Sequence, residues 1–339
     1  MNKFKNIVLA TATTAVAVLT GCENADKTFP DYEGGISVYF PYQAPVRTLI
    51  MGSDEYEQAT ALDREHKCKI MATMGGAYKG KNITIDFIVD NSLVDPVNEV
   101  KAMPSEYYNL ASNQIKFNGN PNGGVEVQLT DAFFADPEAV KTTYVIPLIM
   151  TTVKGANSII TGKPNIDGTW PLRVDAEAWA VQPQDYVLYA VKYINKYHGS
   201  WLRMRDCEGV ADGKRVTDNS LGREIDQKTP TVNITTVSLT EAQYEVDVEG
   251  NKCVLDLAFD GSENCTVSTK SEGWTVSNAS GKFTSKGAKY AWGQKDRDLI
   301  ELSYTIENTN GVKLTSKERL VWQKHGIAMP EEFSFTINK

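Results

Sequence analysis

The sequence predicts an all-β protein of two domains, a β-sandwich followed by an antiparallel β-barrel. Three observations lead there. Apolar residues recur at every second position in short runs along most of the chain. Those runs are separated by turns rich in Gly, Asn and Pro. Few stretches carry helical spacing, and a chain of 339 residues suits two domains.

Targeting signals occupy the first residues and are set aside before the fold is read. Lys3 and Lys5 open a positive segment, and Ile7 to Leu19 is uncharged but too short to span a bilayer. The segment ends in Leu19-Thr20-Gly21-Cys22, a lipobox, in which small residues precede the cysteine whose thiol takes the diacylglycerol. The expectation is a signal peptide over 1–21, a lipidated Cys22 and a polar tether over 22–35. Two or more acyl chains anchor a protein stably. Glu23 and Asp26 follow the lipobox, as acidic residues do in the surface-export signal of Bacteroidetes lipoproteins. The expected location is therefore the outer membrane, at the cell surface.

The sandwich is expected over 36–165. Ile36 to Phe40 opens it. Ile83, Ile85, Phe87 and Val89 then share one face of a strand, and Val125, Val127 and Leu129 repeat the alternation around Glu126 and Gln128. Tyr144 to Met150 is continuously apolar, as a strand buried on both faces is. Gly162 to Pro183 has no clean period, and a linker is placed at 166–184. The barrel is expected over 185–339, opening with the Val-, Ile- and Tyr-rich stretch from Tyr186 to Leu202. Tyr244, Val246 and Val248 turn through Glu249-Gly250 into Cys253, Leu255, Leu257 and Phe259. Ile300, Leu302, Tyr304 and Ile306 alternate with polar residues, and Arg319 to Trp322 closes the series.

Four segments in order, Ile83 to Val94, Pro104 to Leu110, Gly124 to Phe134 and Tyr144 to Ile149, give residues 36–161 a specific resemblance. They resemble the N-terminal domain of unknown function of Bacteroidetes surface lipoproteins. Residues from Tyr186 onward resemble the lipocalin-like domain that often follows it, chiefly through Tyr189 to Leu202. The resemblance implies an immunoglobulin-like sandwich and a lipocalin-like barrel, and a setting beside outer-membrane glycan-import systems. It brings no catalytic residues. Gly199-Ser200-Trp201 matches the lipocalin Gly-x-Trp, whose Trp is covered by an Arg from near the last strand. A barrel-closing contact between Trp201 and Arg319 is therefore implied.

Composition narrows the chemistry. The net charge is −8, and removal of Lys3 and Lys5 makes the remainder more acidic. With no basic block, nucleic acid is not an expected partner. No Gly-x-Ser-x-Gly elbow, P-loop, Rossmann glycine pattern or zinc-ligand spacing occurs. The only histidines are His66, His198 and His325, and 43 acidic residues nominate no catalytic pair. The expectation is a non-enzyme without metal or cofactor. Cys68, Cys207, Cys253 and Cys265 are either buried thiols or disulfide partners, with Cys253–Cys265 the favoured pair because they lie close in sequence.

Binding is the expected function. Sugar rings present C–H faces that stack on aromatic side chains, and the chain carries six Trp and fifteen Tyr. Trp274, Tyr290 and Trp292 lie among small polar residues and are the candidate glycan-binding residues, against a reading in which each plugs a barrel end or a sandwich edge. The expected partners are the membrane through its lipid, polysaccharide, and outer-membrane transporter components. Two alternatives stand beside a glycan-binding accessory of nutrient uptake. One is a barrel holding a small apolar ligand, and the other is a structural or adhesin component with no small ligand.

Overall fold

Tyr144–Lys154 and Tyr186–Ile194 run antiparallel through the middle of the first domain, from Tyr144 opposite Val191 to Ile149 opposite Tyr186. Tyr189, Val191 and Tyr193 face one core, whereas Tyr186, Leu188 and Ala190 face a second. Burial on both faces is why these strands show no polar alternation. The computed structural model describes residues 30–52, 60–327 and 330–338. The expected signal peptide, Cys22 and the expected tether up to residue 29 lie outside the described residues.

Both strands belong to a twelve-stranded sheet. Ser37–Tyr39, Lys67–Gly75 and Asn122–Leu129 lie on one arm, and Pro45–Ile50 and Glu331–Glu332 lie beyond Tyr186–Ile194 on the other. The sheet curls until its arms face each other across the larger core, as the layers of a sandwich do. Tyr189 Oη thus donates to the Lys69 carbonyl 3.0 Å away on the opposite arm, and Tyr193 Oη donates to the Phe134 carbonyl at 3.1 Å.

The domain boundary differs from the expectation. Tyr186–Ile194, expected to open the barrel, belongs to the first sheet, and the C-terminal strand Glu331–Glu332 returns to that sheet as well. The chain crosses between domains at the fully buried Asn195. Its side-chain amide donates to the Ser238 and Glu241 carbonyls, both at 2.8 Å, and its backbone N–H to Thr236 Oγ1 at 3.0 Å. A linker at 166–184 is replaced by a small ribbon that pairs Lys163–Pro164 with Trp179–Val181.

The second domain is a closed antiparallel barrel. Gly199–Ala211, Thr231–Thr236, Glu241–Val248, Asn251–Phe259, Asn264–Thr269, Trp274–Trp292, Lys295–Asn308 and Lys313–Lys324 follow one another around it, and the last pairs with the first. Lys214–Asn219 extends the first strand outside the closed ring. Glu249 and Gly250 both have positive φ, as a two-residue hairpin turn requires. Gly199 stands where the first and last strands meet: its φ is +128°, and a Cβ there would lie 2.3 Å from the Lys324 carbonyl oxygen. That approach is the physical reason for glycine in the Gly-x-Trp sequence.

The interior is filled by its own side chains. Trp201, Tyr244 and Tyr304 are fully buried there with Leu255, Leu257, Ile300 and Leu320. At the centre, the Glu318 carboxylate accepts from Tyr304 Oη at 2.6 Å, Tyr244 Oη at 2.9 Å and Ser316 Oγ at 3.0 Å. The Arg205 guanidinium lies 3.9 Å from the same carboxylate.

Two further expectations are corrected. Trp201 pairs across the seam with Trp322, and Arg319 pairs with Met204. Strand parity puts Trp201 among the interior residues and Met204 in an apolar cluster on the outer wall, so Arg319 lies on the face opposite Trp201. The Trp201 indole donates to the Tyr197 carbonyl at 2.9 Å instead. An arginine does cover a tryptophan at this seam, but the pair is Arg297 and Trp322, with the guanidinium 5.5 Å from the ring centroid. Cys253 and Cys265 are separate buried thiols, as are Cys68 and Cys207. Cys265 faces Phe259 in the hairpin, six residues beyond Cys253 along its strand, about 20 Å at strand rise.

Candidate functional site

The strand Trp274–Trp292 is the longest of the barrel, with 19 residues, and three bulges interrupt its pairing with Lys295–Asn308. They fall between Ser277 and Ser280, Thr284 and Ala288, and Ala288 and Trp292. Each contains one non-glycine residue in the left-handed region: Asn278, Lys286 and Tyr290. In two of them an aspartate from the neighbouring strand accepts the freed backbone N–H. Asp298 Oδ1 accepts from Lys286 N at 2.7 Å, and Asp296 Oδ1 accepts from Tyr290 N at 3.1 Å. The Lys289 ammonium also donates to Asp296, at 2.9 Å, and this contact, followed by the Tyr290 N–H, holds the Asp296 carboxyl below its usual range.

The last bulge turns Tyr290 outward, and its side chain is 75% exposed at φ +48°. A non-glycine residue there costs about 1 to 2 kcal/mol, so neighbouring contacts must hold it in place. Tyr290 forms one wall of a cleft of about 360 Å³, whose floor includes Met204, Ala288 and Val321. The loop carrying Arg223, Glu224 and Ile225 supplies another wall, and Arg319 reaches the cleft from Lys313–Lys324. A mostly polar, charged lining over a small apolar floor, with one exposed aromatic face beside it, suits a polar, flat-faced ligand.

The sequence-nominated residues separate. Of the three candidate aromatic residues, Tyr290 alone lines this cleft. Trp292 is partly buried against the outer-wall cluster of Leu202, Met204 and Leu299, and its carbonyl accepts from Arg297 Nε at 3.0 Å. Trp274 lies at the other end of the same strand, opposite Asn308, and packs partly against the barrel core. Arg319, expected under Trp201, faces the Tyr290 cleft instead.

Other exposed aromatic groups were not nominated. Tyr32 and Tyr78, each more than two-thirds exposed, line a cleft of about 620 Å³ on the first domain. Trp170 is 74% exposed in the loop that joins the two strands of the small ribbon, edge-on to Trp179 at 6.3 Å. The one available signal was the same as for Tyr290: aromatic rings without apolar neighbours in sequence. Among the described residues no group of three or more His, Cys, Asp or Glu is placed to hold a metal, and no helix is long and apolar enough to cross a membrane. His198 Nδ1 lies 3.2 Å from Thr236 N at the domain junction, where burial, then His325, then Lys192, pushes its pKa down to about 4.

Comparison with known proteins follows the same division. Residues 196–326 match a domain of unknown function (DUF5627), and residues 30–157 match a model described as an N-terminal domain. The first match begins one residue after Asn195. No curated protein matches the chain. A crystal structure of a Bacteroides ovatus protein of unknown function aligns over 91% of this chain and 100% of its own, at 36% identity and a TM-score of 0.79. A Bacteroides thetaiotaomicron protein described as an auxiliary nutrient binding protein covers 82% of this chain and 90% of its own, at 11% identity and a TM-score of 0.36. The chain belongs to the family of the Bacteroides ovatus protein, an all-β family in which an N-terminal sandwich domain is followed by a DUF5627 barrel.

Proposed function

We propose that this protein is a non-catalytic, lipid-anchored carbohydrate-binding accessory of an outer-membrane nutrient-uptake system. One observation carries the reading: an exposed tyrosine, held on strained backbone by Asp296, forms a wall of a cleft on the rigid outer face of a barrel. Stacking of a sugar C–H face on that ring, with arginines reaching the hydroxyls, is the recognition such a cleft favours. A lipid on Cys22 would hold the cleft near a transporter and raise the local concentration of ligand.

The alternatives have less support. A small apolar ligand needs a hollow barrel, and this interior is occupied by Trp201, Tyr244, Tyr304 and the buried Glu318 network. Strand addition between chains needs long open edges. The described ends of the first sheet are the two-residue strands Ser158–Ile159 and Glu331–Glu332, and the barrel closes on itself, which leaves the six-residue strand Lys214–Asn219 as its one open edge among the described residues.

The test is affinity electrophoresis of the protein from residue 30 onward through a panel of plant, host-mucin and microbial polysaccharides, with reducing-end assays on the same samples. Retardation without new reducing ends is the expected result. New reducing ends would overturn the non-catalytic assignment, and silence across the panel would overturn the carbohydrate reading.

A further inference from the structure

The Tyr290 cleft does not end at Arg319. A second cleft of about 450 Å³ shares that residue and continues over the outer wall, past Lys317, Glu301, Lys282, Ser280, Ser303 and Asn264. The strand registers define its floor: Lys282 stands opposite Glu301, Glu301 opposite Arg319, and Ser303 opposite Lys317. Arg319 lines both clefts, which therefore adjoin there and are treated as one groove, and each volume lies in the range of roughly 300–1,000 Å³ typical of ligand sites.

The charge of this groove opposes that of the chain. The protein is acidic overall, with 43 carboxylates against 35 basic residues. Elsewhere on the barrel surface some cations are paired, Lys252 with Glu245 and Lys313 with Glu307 at 2.8–2.9 Å, while Lys214, Lys228, Lys270 and Lys324 stand spread over other strands and loops rather than in one cleft. In the groove, Lys289 is tied to Asp296. Arg223, Lys282, Lys317 and Arg319 have no carboxylate within salt-bridge distance among the described residues, although Glu224 and Glu301 line the same walls. Glu301 stands between Lys282 and Arg319 in register without bonding either, and Glu318 turns its carboxylate into the barrel. Like charges held together this way are destabilising unless something else satisfies them. Guanidinium groups bind carboxylate and sulfate oxygens through paired N–H donors, which neutral hydroxyls match less well.

We infer that the ligand of this groove is a polyanionic saccharide chain, bearing uronate carboxylates or sulfate esters, with Tyr290 stacking one sugar and Arg319 binding an acidic group of the next. The inference rests on the carbohydrate reading above and specifies its ligand class. A chain ligand fits because two clefts adjoin at Arg319, whereas a single sugar would fill only one. Each exposed ion contact is individually weak, so affinity comes from several repeated along the polymer, and it is screened by salt.

The test is retardation by polygalacturonate and chondroitin sulfate against neutral galactomannan and dextran. Proteins compared are the wild type, Arg319→Gln, Arg319→Lys, Tyr290→Ala and, as a control on the first domain's surface, Lys69→Gln. The expected result is retardation by at least one acidic polymer and by neither neutral one, with Lys69→Gln unchanged. Arg319→Gln should weaken binding about tenfold and Arg319→Lys less, since only the guanidinium donates in a fork. Binding should fall as ionic strength rises from about 0.01 M to about 1 M, which shortens the screening length from roughly 30 Å to roughly 3 Å. Retardation by a neutral polymer, lost in Tyr290→Ala but unaffected by Arg319→Gln or salt, would overturn the anionic assignment and leave the carbohydrate reading intact. Equal weakening by Lys69→Gln and Arg319→Gln would also overturn it, because the groove would then not be the site. No retardation by any polymer would overturn both.

Discussion

Asp296 accepts the backbone N–H of Tyr290 at 3.1 Å and so holds the most exposed large apolar side chain among the described residues in left-handed backbone. The strain is local and the ring makes little packing, so stability and binding should separate here. Tyr290→Gly removes a strain of about 1 to 2 kcal/mol but gives more freedom to the unfolded chain. The expected result is a midpoint of thermal unfolding unchanged or raised by a few degrees, with polysaccharide retardation lost. Asp296→Ala should leave the ring in place chemically but release the bulge, weakening retardation severalfold.

The central carboxylate of the barrel gives a second prediction. Glu318 accepts from two tyrosines and a serine and lies beside Arg205, whose Nη1 has no hydrogen-bond partner. Removing one member of a buried charged network strands the others. Glu318→Leu should cost about 3 to 5 kcal/mol in urea unfolding. Adding Arg205→Met should recover part of that loss, because it withdraws the cation left behind.

Gly199 tests the closure of the barrel. With φ +128° and the Lys324 carbonyl 2.3 Å from the position of a Cβ, Gly199→Ala must part the first and last strands. A loss of about 2 to 4 kcal/mol is expected from chemical denaturation, against little change for Gly250→Ala beyond its backbone cost, since nothing lies within 4 Å there.

His198 sets a pH dependence. Its folded pKa of about 4 lies below the ordinary 6.5, because burial and His325 disfavour the charged ring. Between those values the unfolded chain binds more protons, so stability is full above pH 6.5 and is lost as pH falls toward 4. The contribution is on the order of 3 kcal/mol. His198→Asn keeps an acceptor near Thr236 N and should flatten this part of the stability profile; a profile unchanged by the substitution would contradict the assignment.

Legibility in the sequence followed the physics of each element. Ile300 to Ile306 and Tyr244 to Val248 alternate because one face meets the core and the other water, and both are barrel strands, as that alternation predicts. Tyr186–Ile194 reads as a strand in the sequence, but its place in the first sheet does not, since a strand buried on both faces carries no mark of its neighbours. Trp201 and Arg319 lie on adjacent strands, yet parity puts them on opposite faces of the wall. Tyr290 stood out through its polar setting. Arg223 lies in an irregular loop whose approach to the Tyr290 bulge has no sequence period, so the groove itself was not legible.

The central claim is that Tyr290 presents its ring to a saccharide. Calorimetric titration of an oligosaccharide cut from whichever polymer retards the protein, into the wild type, Tyr290→Phe and Tyr290→Ala, tests it most directly. Stacking of this kind contributes about 1.5 kcal/mol, so Tyr290→Ala should raise Kd about tenfold while Tyr290→Phe stays close to the wild type. Equal affinity in all three proteins would contradict the claim and place the saccharide elsewhere on the molecule.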